Sequence, residues 1–187
     1  MDRVRDYLNS VAGLLKDAPA DDIKKVADLV LDAYRSGKQV FIMGNGGSAA
    51  TASHLACDLQ KGIGCLRPDK KFRVMALTDN VPIMTAWAND TDYSNIFAEQ
   101  IATWAAPGDL VIGISGSGNS PNVIKGVETA REKGAVTVGL SGFEGGKLAQ
   151  VADYNVVVRS NNMQHIEDVH VVITHLIFRY ILEEITS

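Results

Sequence analysis

Three serines in six residues, Ser115, Ser117 and Ser120, stand with Gly116 and Gly118 directly after the apolar run Leu110 to Ile114. Hydroxyls and free amides at a strand-to-helix junction are the donors a phosphate monoester needs, and the helix dipole favours the anion. A second loop, Gly44-Asn45-Gly46-Gly47-Ser48, follows the run Val40 to Met43 in the same way. Glycines such as Gly46, Gly47 and Gly116 let the backbone approach a ligand closely. The serine loop contains no lysine, which favours a sugar phosphate held by hydroxyls and amides over a nucleotide triphosphate. The first loop also reads as G-x-G-x-x-A, a weak dinucleotide fingerprint. The acid such a fingerprint needs about 20 residues on is missing, and the nearby acid is Asp79.

Two helix-like stretches carry acid–base or metal-ligating groups. His54 and Asp58 are four residues apart, so they share a helix face. Glu167, Val171 and His175 recur every four residues, with His170 displaced around that helix and His165 preceding it. Two histidines and two carboxylates thus stand on two helices able to converge near the loops. Imidazole and carboxylate oxygen suit Zn²⁺, and the same groups are acid–base catalysts; spacing does not separate the two roles. Asn89-Asp90 fits either a helix-terminating turn or a substrate contact. Trp87, Phe97 and Trp104 are expected in the core or at a subunit interface, and Lys70, Lys71 and Arg73 on a solvated edge.

Positioning these groups requires strands ending at both loops. Five short, nearly continuous apolar runs predict strands buried on both faces of a parallel sheet: Gln39 to Met43, Phe72 to Leu77, Leu110 to Ile114, Val136 to Leu140 and Tyr154 to Val158. Helices are predicted over Met1 to Lys16, Asp21 to Ser36, Ser48 to Lys61, Pro121 to Lys133 and Ile166 to Thr186. Pro121 is suited to a first helical turn, and Gly134 to a stop. Strands alternating with helices give a three-layer αβα sandwich with right-handed crossovers. Both loops then lie at the carboxyl edge of the sheet, where such folds bind ligands.

The length of 187 residues fits one domain, 1–187, with the helices of 1–36 as an oligomerisation segment. Val4, Leu8, Val11, Leu14 and Leu15 need a partner surface. A hydrophobic fraction of 46% and a charged fraction of 21% are ordinary for a globular chain. A net charge of −4 argues against nucleic-acid binding. The absence of a membrane-length apolar run or signal core predicts a soluble, cytoplasmic protein. Cys57 and Cys65 do not make a disulfide framework or a zinc ribbon.

The runs G-N-G-G-S-A-A, A-L-T-D-N, W-A-N-D and P-G-D-L-V-I-G-I-S-G-S-G-N-S-P-N-V, with the late H-x-x-x-x-H, resemble sugar isomerase (SIS) domain proteins. Within them the chain is most similar to the phosphoheptose isomerase subfamily, from about Asp21 to its C-terminus. The resemblance implies a five-stranded parallel sheet flanked by helices, a homotetramer, and aldose–ketose isomerisation through an enediol, often with zinc. It implies that Ser48, Ser115, Ser117 and Ser120 hold the phosphate and that Asn45 and Asp90 contact the sugar. His54 and His175 match metal-binding positions, and His175 also an acid–base position. The family's helix glutamate is Asp58 here, a ligand-position glutamine is Glu167, and an Asp-Arg pair is Gln164-His165. The arginine usual after the first helix acid is absent, with Lys61 and Arg67 the nearest cations. One metal and acid–base site of His54, Asp58, Glu167 and His175 is the resulting expectation, with sedoheptulose 7-phosphate as substrate. A different sugar phosphate, or a non-catalytic phosphosugar- or protein-binding module, is the alternative.

Overall fold

In the computed structural model, which describes residues 2–186, five strands form one parallel sheet. Two helices come first, α1 (Arg3–Lys16) and α2 (Ala20–Ser36), then β1 (Val40–Gly44) and α3 (Gly47–Cys57). A π-helical turn, Asp58–Ile63, and the short α4 (Gly64–Leu66) lead to β2 (Val74–Ala76), α5 (Val81–Asp90), a 3-10 turn (Tyr93–Asn95) and α6 (Ala98–Trp104). The chain continues through β3 (Leu110–Ser115), α7 (Pro121–Glu132), β4 (Val136–Gly142), α8 (Leu148–Val151), β5 (Tyr154–Val158) and α9 (Met163–Thr186).

The strand order is β2-β1-β3-β4-β5. It reverses between β1 and β3, so the crevice of the sheet opens between the two strands that run into the glycine loops. The register Gly44↔Ile114 sets these loops side by side. Successive strand residues point to opposite faces, and both faces are covered. Ile42, Ile112 and Leu140 pack with α2, α3 and α9 on one side. Phe41, Met43 and Val111 pack with Phe97, Ile101, Val127 and Leu148 on the other.

Local signals set several boundaries. Pro121 occupies the first turn of α7. Gly134 takes φ +76° beyond that helix, with the Ala135 amide donating to the Ala130 carbonyl at 3.0 Å, a closure that satisfies an orphan helix carbonyl. Lys70, Lys71 and Arg73 donate to the carbonyls of Arg35, Gly64 and Gly37, so this basic edge serves backbone caps. Buried Asp109 accepts from the amides of Gln39 and Ala106, both at 2.9 Å, and ties the start of β3 to the residue before β1.

The structure differs from the sequence reading in the bounds of several elements: β2 spans only Val74–Ala76, and α9 begins at Met163. The helix expected over Ser48 to Lys61 is α-helical only to Cys57 and then widens into the π turn. Gly62 lies in that turn against the Phe178 ring, where a Cβ would stand 2.6 Å from the ring edge. β4 continues two residues past Leu140 because Ser141 still pairs with Ser115 of β3. Phe97 is buried and Trp87 partly buried in the core, and Trp104 is 63% exposed, on the surface where the subunit-interface alternative would put it. Helix α1 contains no buried residue; its Tyr7 hydroxyl donates to Asp168 of α9 at 2.6 Å. Met1 lies outside the described residues.

Candidate active site

Contacts within the serine loop hold its hydroxyls close together. The Ser115 and Ser120 hydroxyls are 2.9 Å apart, and the Ser117 hydroxyl accepts from the Asn119 amide at 3.1 Å. Ser120 precedes α7 but its hydroxyl does not cap that helix. Pro121 has no N–H to offer at the start of α7, and the Val123 amide donates to Asn122 Oδ1 at 3.0 Å, so the serine hydroxyls are the main donors this loop presents to an anion. Gly118 adopts φ +68°, and a Cβ there would collide with the Gly145 carbonyl of the following loop, so only glycine fits.

The first loop is braced against α7. Asn45 and Asn122 exchange a reciprocal pair of amide hydrogen bonds, at 2.9 and 2.8 Å, and Asn45 Oδ1 also accepts from the Tyr93 hydroxyl at 3.2 Å. The sequence reading named Asn45 but missed Asn122 and Tyr93. The signal available for Asn122 was an amide directly after a helix-starting proline. Its burial and pairing are tertiary. Ser48 is buried at the start of α3. Asp90 ends α5 and accepts from Asn89 at 2.7 Å; Tyr93, three residues on, is the group that reaches Asn45.

His54, Asp58 and His175 come together. The two imidazole Nε2 atoms are 3.4 Å apart, with rings edge to face and centroids 4.8 Å apart. Asp58 Oδ2 lies 3.6 Å from His54 Nε2 and 4.0 Å from His175 Nε2. Ligands at the usual zinc distances of about 2.0–2.2 Å stand about 3.3–3.5 Å apart in a tetrahedron. Two imidazoles and a carboxylate at these separations thus fit a divalent ion with little movement. The histidines are about half exposed and Asp58 less so, so a substrate can reach them. Asp58 opens the π turn, a distortion that often marks functional positions.

Glu167 is not in that trio. It lies two turns before His175 on α9, with its carboxylate over Gly47 at the start of α3; a Cβ on Gly47 would stand 2.6 Å from Glu167 Oε2. There it faces the positive end of α3. Glu167, Gly47, Thr51 and His54 line one cavity of about 250 Å³, so His54 belongs both to this cavity and to the trio. His165 faces Tyr7 edge-on at 4.5 Å, away from the trio. His170 is buried with its Nε2 3.1 Å from the Ser141 carbonyl, and burial lowers its pKa from 6.5 to about 4 against the opposing effect of that bond.

A five-stranded parallel sheet with a glycine- and serine-rich loop at its reversal point, and two histidines and an aspartate meeting on flanking helices, places a candidate ligand site at the carboxyl edge of an α/β domain. The family model described as SIS domain matches residues 6–142, and the chain belongs to that family. It is 42% identical to the phosphoheptose isomerase of Geobacter sp. (strain M21) over 83% of this chain and 80% of that protein. It is 36% identical to that of Aneurinibacillus thermoaerophilus over 98% and 94%. The structure of phosphoheptose isomerase GmhA from Neisseria gonorrhoeae superposes with a TM-score of 0.88, at 28% identity, covering 97% of this chain and 98% of that one.

Proposed function

We propose that this chain is an aldose–ketose isomerase that converts D-sedoheptulose 7-phosphate to D-glycero-D-manno-heptose 7-phosphate through an enediol. The observation that carries the proposal is the meeting of His54, Asp58 and His175 in a chain over a third identical to phosphoheptose isomerases along most of its length.

The residues divide the work by chemistry. Ser48, Ser115, Ser117 and Ser120 hold the phosphate, and Gly116 lets the backbone approach it. Asn45, Gly46, Gly47 and Asp90 contact the sugar. Asp58 removes a proton from C1 of the ketose and returns one to C2. His175 gives a proton to the carbonyl oxygen at C2 and takes one from the hydroxyl at C1, so the carbonyl passes from C2 to C1 with no net change in protons. With a divalent ion present, zinc by ligand type, His54, Asp58 and His175 would hold it and His175 Nε2 would serve as ligand in place of its proton-carrying role, with Glu167 the further ligand proposed from the cavity it shares with His54. Such an ion, when bound, polarises the substrate carbonyl.

Exposed Val4 and Leu8 on α1 and Val172 and Leu176 on α9 support a homo-oligomer, a tetramer in this reading, with 1–36 as the assembling segment. No helix of the described residues is long and apolar enough to cross a membrane. The cytoplasm is the compartment proposed.

His175→Gln tests the proposal: turnover falls by at least about a hundredfold, as for loss of a general acid–base, while phosphate binding persists. Normal turnover of the variant contradicts it. Zinc measured in protein purified without chelator, and light scattering at micromolar concentration, test the metal and the assembly.

A further inference from the structure

His170 is a nearly fully buried histidine, 1% exposed, that the acid–base chemistry does not use. Its Nε2 meets the Ser141 carbonyl at 3.1 Å. A carbonyl can only accept, so Nε2 carries the proton. The peptide unit that His170 grips by its oxygen is the same one whose nitrogen, on Gly142, donates to the Gly116 carbonyl at 2.9 Å. Gly116 lies between Ser115 and Ser117. One peptide plane therefore connects a buried imidazole to the centre of the serine loop.

Gly142 also begins the segment that backs this loop. The Leu148 amide donates to the Gly118 carbonyl at 2.9 Å, and the Lys147 amide to Asn119 Oδ1 at 3.0 Å. Phe143, next in sequence, has φ +51°, the one positive φ among the described residues other than glycine. A conformation of this kind costs on the order of 1–3 kcal/mol and persists only where neighbouring contacts impose it. The directional bond from the His170 ring to the Ser141 carbonyl, two residues before Phe143, is one such constraint. An apolar side chain of similar volume fills the same space without supplying it.

We propose that His170 is a positioning residue for the phosphate site, holding the Ser141–Gly142 peptide so that Gly142 fixes Gly116 and with it the spacing of the serine hydroxyls. This rests on the reading of the serine loop as the phosphate site. Loss of the bond acts on phosphate affinity, and leaves the trio of His54, Asp58 and His175 with its own geometry.

The test compares His170→Leu, His170→Asn and His170→Gln with the unaltered protein, using calorimetric titration with inorganic phosphate and steady-state kinetics on sedoheptulose 7-phosphate. Glutamine places an amide N–H near the position of Nε2; asparagine is too short to reach Ser141, and leucine has no donor. Leucine and asparagine weaken phosphate binding and raise KM about five- to tenfold, as expected for one lost hydrogen bond, with kcat changed less than about threefold. Glutamine restores both constants to within about twofold. If the leucine variant fails to fold, the asparagine–glutamine pair decides. Wild-type phosphate affinity in the asparagine variant, or equal losses for asparagine and glutamine, overturns the positioning role alone. Failure of the unaltered protein to bind phosphate overturns the serine-loop reading and the positioning role with it.

Discussion

His170 also makes the fold sensitive to acid, by an amount that follows from its surroundings. The ring is 1% exposed, and burial pushes its pKa from 6.5 down to about 4, opposed by the bond to the Ser141 carbonyl. As pH falls, the unfolded chain takes up this proton first. The neutral ring's contribution is therefore fully present above about pH 6.5 and is lost as pH drops through that value toward 4. A fall from 6.5 to about 4 corresponds to about 3 kcal/mol once both states are protonated, and about 2 kcal/mol is already lost at pH 5. Urea unfolding at pH 7.5 and pH 5, with protein and chelator concentrations held fixed, measures it. His170→Gln does not titrate, so its stability should fall between these values by about 2 kcal/mol less than that of the unaltered protein. Parallel pH dependence in the two proteins would refute the reasoning.

Three further outcomes follow from named contacts. Replacing Ser117 and Ser120 by alanine should raise KM for the sugar phosphate and remove the protection given by inorganic phosphate; unchanged calorimetric affinity contradicts the assignment. Gly118→Ala forces a left-handed residue and a Cβ into the Gly145 carbonyl, and should cost on the order of 2–4 kcal/mol in urea unfolding; a loss under about 0.5 kcal/mol contradicts the packing. Zinc affinity, measured by competition with a chromogenic chelator, should fall steeply in His54→Ala and in His175→Ala, each of which removes one of the ligands that meet in the trio; unchanged affinity in both variants contradicts a histidine site.

Much of the architecture is legible along the chain because its signals are local. The runs at Val40 and Leu110 are nearly continuously apolar, as central strands buried on both faces must be, those at Val136 and Tyr154 are interrupted by Thr137 and Asn155, and each proved to be a strand. The ends were less legible. Ser141 and Gly142 carry no apolar signal, yet the β3 ladder and Gly116 recruit them. The π turn at Asp58 coincides with the packing of Phe178 on Gly62, which no local propensity reports. At the site, the i, i+4 spacing of His54 and Asp58 was sufficient to pair them. Their meeting with His175 depends on how α9 crosses α3. Periodicity placed Glu167 on the same face as His175, but the two turns between them bring Glu167 to Gly47. Asn122 and Tyr93 escaped because their importance lies in the partner they share, Asn45, and not in their spacing.

The central claim is tested most directly by following sedoheptulose 7-phosphate by NMR in D₂O with the unaltered protein, with zinc supplied or chelated. The account predicts new resonances of an aldoheptose 7-phosphate, with deuterium entering at C2 as the enediol is reprotonated. A substrate spectrum unchanged under both conditions, in a protein that still binds inorganic phosphate, would contradict isomerase function and leave a phosphosugar-binding module.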